Sequence, residues 1–389
     1  MTRRSHRRPG AGPSRRAGFR GIGGGGLPSL SLLSSGVFTR ASEGSYLTGA
    51  PTDGSSAFLA WAGNNVRRIE DRGDGLGPML LMEGSRTNYA LQSRALDNAA
   101  WTAGTATVTA NQNGGPDGAT LADRVNATSG QAGPSEASKG QVAFSVASAW
   151  ARAVSGTVQH QMVLSQGGTA LAAKATARST TYGRSEVSGN CTPGSAGVIP
   201  LDASDRSGIG GQVATAQDAY IDLVQIESGH WPTSAIRTTA AAVTRAADAL
   251  SYAAGQYPAA FCDRGVVFAF APDCSSAELA ASATQFCPVW LGAGSANGIF
   301  VSSSLVVSAW LSNAQKIASS PISWSRGQLL TITVRPSAGT LTIVGATTGN
   351  GTYSGTPYAW SPSDALWIGS RHTGADACFG RFGLNLVAA

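Results

Sequence analysis

The stretch Leu80–Ser93, LLMEGSRTNYALQS, places charged residues at a corner between two apolar segments. The apolar run Met79–Met82 stops at Glu83. A Gly-Ser pair follows, and then Arg86 and Asn88 precede the next apolar residues. The run is shorter than an ordinary helix and turn residues end it, so the pattern predicts a buried strand that enters a tight corner. A carboxylate and a guanidinium at such a corner can act on a substrate or can hold the chain together.

The usual catalytic and cofactor motifs give no better candidate. Residues 21–26, GIGGGG, match the G-x-G-x-x-G pattern of dinucleotide sites, but an arginine-rich segment precedes them and Pro28 follows in place of a helix. The sequence holds no H-E-x-x-H and no G-x-S-x-G motif. Asp202 and Asp205 could bracket a structural Ca²⁺ or form a carboxylate pair, although an Asp/Ser-rich turn explains them more simply. We therefore predict a protein without catalytic residues, cofactor or resident metal ion.

Nine tryptophans invite a sugar-binding interpretation, because aromatic faces stack on the apolar faces of sugar rings. Trp61 and Trp231 occur in irregular stretches, and we predict that these two contact a ligand or a partner. The others lie in or beside predicted strands, where core packing is the simpler role: Trp101, Trp150, Trp290, Trp310, Trp324, Trp360 and Trp367.

The N-terminal segment carries most of the excess charge. The net charge of +6 falls to −1 when seven arginines within the first twenty residues are set aside, so a near-neutral body carries one basic arm. Alone, such an arm cannot offset an ordering cost of ~1–2 kcal/mol per residue. We favour docking on a partner protein over a solvated tail and over nucleic-acid binding. The predicted anchoring residues are Arg3, Arg4, Arg7, Arg8, Arg15, Arg16 and Arg20.

Cysteine usage and hydropathy bear on the class of protein. The five cysteines include no C-x-x-C pair, and their odd number argues against a complete disulfide framework. We predict buried free thiols, with a Cys262–Cys274 or a Cys274–Cys287 bridge as the alternative. No run of ~18 apolar residues occurs, so we expect no segment that spans a membrane.

Strand patterns separated by glycine and proline turns cover most of the chain. Residues 158–164, VQHQMVL, alternate between apolar and polar side chains, and residues 329–345 give the clearest hairpin. Only 13% of the residues are charged and 50 are glycine, which also favours β-structure with many turns. We predict an all-β chain with four parts: a basic arm (1–45), an extended connector (46–95), and two antiparallel β-sandwiches (96–246 and 247–389).

Several blocks of sequence resemble one group of proteins. The blocks are FTRASEGSYL (38–47), LLMEGSRTNYALQS (80–93), NAAWTAGTATVTANQNGGPDGATLADRV (98–125) and QIESGHWPTSAIRTTAAAVTRAAD (225–248). They are similar to tailed-bacteriophage virion proteins that carry a carbohydrate-binding-module-like jelly roll. The segment 365–386, ALWIGSRHTGADACFGRFGLNL, resembles the closing strands of a concanavalin A/laminin-G-like sandwich. The resemblance implies a jelly-roll-like sandwich followed by a lectin-like or laminin-G-like one.

The resemblance also implies a role for the corner at residues 83–88. In such a family the corner is expected to be a structural latch. Glu83 and Arg86 would form a charge-assisted hydrogen bond, and Asn88 would cap the local backbone. A catalytic role for Glu83 is the alternative.

Finally, the resemblance implies a function and a location. It predicts a non-enzymatic structural protein of the virion, a head fibre, decoration or tail fibre protein, anchored to the capsid or tail by its arm. The expected partners are other virion proteins, further copies of the chain in a trimer, and a host surface glycan. Two alternatives stay open: a polysaccharide-degrading tailspike enzyme, which needs a groove with clustered carboxylates, and a secreted lectin-like protein, which needs an export signal.

Overall fold

The computed structural model describes residues 29–34, 36–102, 104–118, 121–137, 144–292, 297–371 and 376–389. The seven arginines of the predicted arm lie outside the described residues. Where the chain is described, it consists mainly of short strands paired in antiparallel sheets. The all-β prediction is confirmed.

The N-terminal part of the chain contributes seven short strands among its described residues. Their bounds are β1 (Ser29–Ser31), β2 (Val37–Thr39), β3 (Gly44–Leu47), β4 (Leu59–Ala62), β5 (Arg68–Glu70), β6 (Met79–Met82) and β7 (Arg86–Asn88). All four residues of β6 are buried, which confirms the strand predicted before the corner.

The first sandwich contains nine strands among the described residues. They are β8 (Thr107–Gly114), β9 (Leu121–Ala127), β10 (Glu136–Ala137), β11 (Phe144–Ala153), β12 (Val158–Gln166), β13 (Thr169–Arg178), β14 (Gly183–Asn190), β15 (Ala196–Ile199) and β16 (Gln217–Ser228). A five-stranded sheet, in the order β14-β11-β16-β9-β8, packs on a four-stranded sheet, β10-β15-β12-β13. Met162 and Leu164 of β12 are fully buried in the core between them, as the predicted alternation requires. A short 3₁₀ turn, Ser207–Ile209, precedes the last strand.

The second sandwich uses the C-terminal strands and two short helices, α1 (Ala260–Asp263) and α2 (Ser276–Ser282). A capping box, Ser275 with Glu278, starts α2. Strand β17 (Val243–Arg245) pairs with β7 in a separate two-stranded sheet. The strands of the second sandwich are β18 (Ala249–Tyr252), β19 (Val266–Pro272), β20 (Phe286–Leu291), β21 (Gly298–Val301), β22 (Val307–Leu311), β23 (Ala314–Ala318), β24 (Leu330–Arg335), β25 (Thr340–Val344), β26 (Gly351–Ser354), β27 (Leu366–Ile368), β28 (Gly380–Phe382) and β29 (Asn385–Ala388).

Two large sheets form this sandwich. The nine-stranded sheet runs β26-β25-β24-β19-β28-β6-β5, with β29 pairing to both β19 and β1. The seven-stranded sheet runs β2-β18-β27-β20-β21-β22-β23. The predicted hairpin is confirmed: Val334 lies opposite Leu341 and Ile332 opposite Ile343, and all four side chains are buried in the core. Within the described residues, no helix has the length and apolar character needed to cross a membrane.

The predicted boundaries at residues 45 and 95 need correction, because strands from both parts are built into the second sandwich. Strand β1 pairs with β29, β2 pairs with β18, and β6 pairs with β28. Leu32 is fully buried in the core of this sandwich. The guanidinium of Arg67 holds the same segment by donating to carbonyl oxygens of Leu33, Ser34 and Gly36, at 3.2, 3.0 and 2.5 Å. The chain's own sandwich therefore supplies the partner for residues 29–34 and 36–45.

Replacing Leu32 with alanine tests this correction. We expect Leu32→Ala to lower the free energy of unfolding by about 2–5 kcal/mol, because the change leaves a cavity in the core. The neighbouring Leu33 is 45% exposed, so Leu33→Ala is a matched control that should change stability by no more than about 0.5 kcal/mol. Equal stabilities of the two variants in urea denaturation would contradict the assignment of β1 to this sandwich.

Candidate functional site

The carboxylate of Glu83, just after β6, lies at the centre of a buried group of charged side chains. It bonds to Nη1 of Arg68 at 2.6 Å and also to the guanidinium of Arg245. It accepts the backbone N–H and the hydroxyl of Ser234, at 2.8 and 2.5 Å. Since Glu83 is only 1% exposed, these protein donors, and not solvent, surround the carboxylate.

Asp248 supplies the second carboxylate of this group. It pairs with Arg40 at 3.2 Å and with Arg68, and it accepts the backbone N–H of Glu83 at 2.8 Å. Arg40 donates further to two backbone carbonyls after β4, at 2.9 and 2.7 Å. We call these five buried side chains the charge cluster: Arg40, Arg68, Glu83, Arg245 and Asp248.

The electrostatics of the charge cluster suit a structural role. Burial alone would raise the pKa of the Glu83 carboxyl, but Arg245, Arg68 and the bonds from Ser234 hold that pKa well below its usual range. Glu83 therefore stays ionised at physiological pH, whereas a general acid must carry a proton. The cluster joins the N-terminal strands and the corner after β6 to residues 228–248. We call these residues, which follow the first sandwich in the sequence and precede the second, the strap.

The predicted bond between Glu83 and Arg86 needs correction, because two arginines distant in the sequence occupy the carboxylate. Arg86 lies over the ring of Phe379, with its Cζ atom 4.6 Å from the ring centroid, and over Trp231 at 5.6 Å. Burial lowers the pKa of Arg86. The negative faces of the two rings offset part of the cost of burying this cation.

Asn88 caps the backbone as predicted, and it also reaches beyond its own turn. Its Oδ1 atom accepts the N–H groups of Ala90 and Ile226, both at 3.0 Å. Its Nδ2 atom donates to the carbonyl oxygens of Val224 and Ile236, at 3.1 and 2.7 Å. One buried amide thus connects the corner to β16 and to the strap.

The two tryptophans predicted to contact a ligand have different environments. Trp231 is 1% exposed and packs edge-on against Phe379, with 5.5 Å between the ring centroids, so its predicted role needs correction to core packing. Trp61 is half-buried; its Nε1–H donates to Asp117 at 3.0 Å, and Arg237 lies 4.6 Å from its ring centroid. A ligand or partner contact at Trp61 stays a prediction.

The two aspartates considered as a Ca²⁺ site belong to a turn. Asp202 accepts the backbone N–H of Ser204 and the Nε–H of Arg206, both at 2.8 Å. Asp205 accepts the backbone N–H of Ser207 at 3.0 Å. In the part of the chain that the structure describes, no three His, Cys, Asp or Glu side chains are grouped so that they could hold a metal ion.

The cysteines are buried and free, which confirms the prediction of unpaired thiols. Burial raises the pKa of Cys274, Cys287 and Cys378 above the ordinary thiol value. These thiols therefore stay protonated and weakly nucleophilic near neutral pH.

The strongest candidate site lies on the seven-stranded sheet of the second sandwich. Val289 and Leu291 of β20 point into the core, so Trp290 between them points to the outer face of the sheet. Leu366 and Ile368 place Trp367 on the same outer face. Trp290 is nevertheless only 2% exposed and packs with Cys287 and Phe300 in a small buried cluster, so its predicted packing role is confirmed. Trp367 is half-buried on the outer face, so its predicted place in the core needs correction, and the period-two alternation of its neighbours is the signal for it.

Strand pairing aligns the outer tryptophans in one row. Trp367 lies opposite Trp290, Trp290 opposite Gly298, and Gly298 opposite Trp310. A Cβ atom at Gly298 would come within 2.3 Å of the Val289 carbonyl oxygen, so glycine is required there.

Phe300 and Arg371 complete this face. The Phe300 ring lies edge-on to both Trp290 and Trp310, with centroid distances of 5.9 and 6.1 Å. The Cζ atom of Arg371 is 5.2 Å from the centroids of Trp290 and Phe300, and its guanidinium pairs with Asp376. We call this group the outer aromatic face: Trp290, Phe300, Trp310, Trp367 and Arg371.

A cavity of about 460 Å³ opens beside the outer aromatic face. Phe300 and Trp310 supply its aromatic walls, and Trp310 is only half-buried. The other lining residues carry mainly hydroxyl, amide or guanidinium groups and include Gln285, Ser302, Ser304, Ser308, Gln315, Ser319 and Arg371. Aromatic walls with several convergent hydrogen-bonding groups suit a hydroxyl-rich ligand of this size.

Comparisons with protein-family models and with curated protein sequences find no match to this chain. The resemblance to phage virion proteins therefore stays a prediction, and the functional argument depends on the geometry of the site.

Removing the charge of Glu83 tests whether the charge cluster is structural. We expect Glu83→Gln to lower the free energy of unfolding by about 3–5 kcal/mol, because three buried arginines would share one remaining carboxylate. Glu43 forms an exposed 2.7 Å pair with Arg237, so Glu43→Gln is the matched control, with an expected change below about 1 kcal/mol. Urea denaturation measures both, and a Glu83→Gln variant as stable as the parent protein would refute the structural role.

Proposed function

We propose that this chain is a non-enzymatic structural protein of a tailed-phage particle that attaches to a host surface glycan through its second sandwich. The outer aromatic face is the glycan-binding site. The N-terminal arm anchors the chain to the capsid or tail, and further copies of the chain and other virion proteins are its partners.

The observation that carries this proposal is the row of tryptophans beside the polar cavity. Trp310 and Trp367 are half-buried, so each presents part of an indole ring on which a sugar ring can stack. Ser308 accepts the Nε1–H of Trp310 at 2.8 Å and fixes that ring in place. Exposed Gln315, opposite Trp310 on β23, offers an amide that can bond sugar hydroxyls.

The carboxylate of Asp376, which contacts this face through Arg371, is already paired within the protein, and this supports attachment without catalysis. Asp376 pairs with Arg371 and accepts a hydrogen bond from Gln285 at 3.1 Å. Retaining and inverting glycosidases need two carboxyl groups on either side of the scissile bond. The residues that line the described cavity are instead hydroxyl, amide, apolar and guanidinium groups.

Alanine substitutions on the outer aromatic face test the glycan site. We expect Trp310→Ala to weaken binding of a host-surface polysaccharide at least tenfold, about 1.4 kcal/mol, because the stacking surface is lost. Gln315→Ala should weaken it by a smaller factor without a change in stability, since this side chain is exposed. Trp61→Ala is the control, a half-buried indole elsewhere on the molecule.

Calorimetry on the full-length variants gives the affinities. Unchanged affinity in both Trp310→Ala and Gln315→Ala, or a loss confined to Trp61→Ala, would overturn the placement of the site. The same mixtures test the tailspike alternative: the appearance of new reducing ends in the polysaccharide would show hydrolysis and overturn the non-enzymatic proposal.

Truncation tests the anchor. Deleting residues 1–28 removes the seven arginines and leaves β1 and Leu32 in place, so the melting temperature should stay within about 2 °C of the parent value. Assembly of particles in the presence of this variant should yield particles without it, as measured by mass spectrometry of purified virions. Normal incorporation of the truncated chain would refute the anchoring role.

A further inference from the structure

A second cavity, of about 320 Å³, lies where four parts of the chain meet. Strands β3 and β4 line one side, and β13 and β14 of the first sandwich line the other. The strap contributes residues 232–235, and Asp273 and Arg326 come from the second sandwich. We call this cavity the junction cleft. It is separate from the outer aromatic face, and its volume is at the small end of the range for ligand sites, ~300–1,000 Å³.

The junction cleft holds more cations than carboxylates. Its charged lining residues are five basic ones, Arg72, Lys174, Arg178, Arg184 and Arg326, and three acidic ones, Glu70, Glu186 and Asp273. Burial alone would raise the pKa of Glu186, but the hydrogen bond and charge of Arg326, together with the charges of Lys174 and Arg184, hold that pKa below its usual value. The lining therefore carries a net positive charge at neutral pH.

Three of the cations already have carboxylate partners among the lining residues, and Lys174 lies 3.7 Å from Glu186. Arg72 pairs with Glu70 at 2.6 Å and with Asp273 at 2.7 Å. Arg326 pairs with Glu186 at 2.5 Å. The Arg326–Glu186 pair joins the two sandwiches, whereas both partners of Arg72 belong to the second sandwich. Both arginines are therefore structural.

Arg178 and Arg184 direct their hydrogen bonds mainly to uncharged oxygens. Arg178 donates to the Ser185 hydroxyl at 3.0 Å, and Arg184 donates to the Ser148 hydroxyl at 2.8 Å. The carboxylate of Glu227 is 3.9 Å from Arg184, at the outer limit of an ion pair. Burial lowers the pKa of both guanidinium groups, so each charge is poorly compensated where it lies.

Trp150 provides an independent observation in the same cleft. It lines the cleft opposite Arg184 in the β11–β14 pairing, it is 6% exposed, and Phe58 packs edge-on against its ring at 5.3 Å. Its Nε1–H is buried and has no hydrogen-bond partner among the described residues. A buried donor left unbonded is costly, and a ligand oxygen at this position would satisfy it.

We propose that the junction cleft binds an acidic sugar unit, with its carboxylate held by Arg178 and Arg184. A guanidinium can bond both oxygens of a carboxylate, and the unbonded indole N–H of Trp150 lies among the same lining residues. The hydroxyls of Tyr46 and Thr176 and the side chains of Leu47 and Leu59 suit the remainder of a pyranose ring, which has polar edges and apolar faces. This site goes beyond the proposed function, because it adds a second sugar subsite with a different charge preference.

Titration of the full chain with D-glucuronate tests the proposal, with D-glucose and inorganic phosphate as comparison ligands. Glucuronate should bind at least tenfold more tightly than either, and its affinity should fall as the salt concentration rises. Arg178→Gln and Trp150→Phe should each weaken glucuronate binding at least fivefold. Arg335→Gln, which changes an exposed arginine outside the cleft, is the matched control and should leave the affinity unchanged.

Three other outcomes would overturn the proposal. Phosphate binding as tight as glucuronate would make the cleft a plain anion site, and tighter binding of a triglutamate peptide would indicate a protein partner. Equal affinities of the parent, Arg178→Gln and Arg335→Gln would place the ligand elsewhere.

Lys174→Gln changes an exposed cation of the cleft and covers the case in which Arg178→Gln fails to fold. Trp310→Ala should not affect glucuronate binding, so failure here and failure of the proposed function are distinguishable.

Discussion

The charge cluster is the constraint on which the arrangement of this chain depends. Three arginines and two carboxylates are buried together, and each comes from a different point along some 200 residues of sequence. A buried ion pair is often no more stabilising than a well-packed apolar pair, but breaking it leaves a charge that neither water nor protein compensates. We infer that the cluster selects one arrangement of the chain, since any other leaves at least one of these charges unpaired.

The same cluster determines where the junction cleft can exist. Ser234 donates to Glu83 through both its backbone N–H and its hydroxyl, and it also lines the cleft. The strap is therefore fixed at one end by the cluster while its neighbouring residues form a wall of the cleft. Arg184 adds a second attachment, because it donates to the Thr233 carbonyl oxygen. The wall of the proposed subsite is thus rigid before any ligand arrives, which limits the ordering cost of binding.

Local features of this structure could be predicted from the sequence, and long-range pairings could not. The buried strand Met79–Met82, the hairpin of β24 and β25, and the cap at Asn88 each depend on residues close together in the chain. The partners of Glu83 are 15 and 162 positions away, so spacing alone favoured the nearer Arg86. The pairing of β1 with the far C-terminal β29 was missed for the same reason. The three residues of β1 follow a glycine run and carry little strand signal of their own. They form a strand because they pair with β29 in the folded sheet.

Trp367 differs from these cases, because the signal for its position is local. Tryptophan is usually buried, so composition favoured the core, whereas the alternation of β27 assigns Leu366 and Ile368 to one side and Trp367 to the other. Periodicity should outweigh average burial when the flanking residues are themselves strong core formers. Trp367, which the alternation directs away from the filled core, is half-buried on the outer face. Trp290 is buried and donates to the Gly292 carbonyl oxygen, and Ser308 fixes the ring of Trp310. The exposed parts of the two half-buried rings, Trp310 and Trp367, are therefore the area on this face that a contact with another molecule would cover.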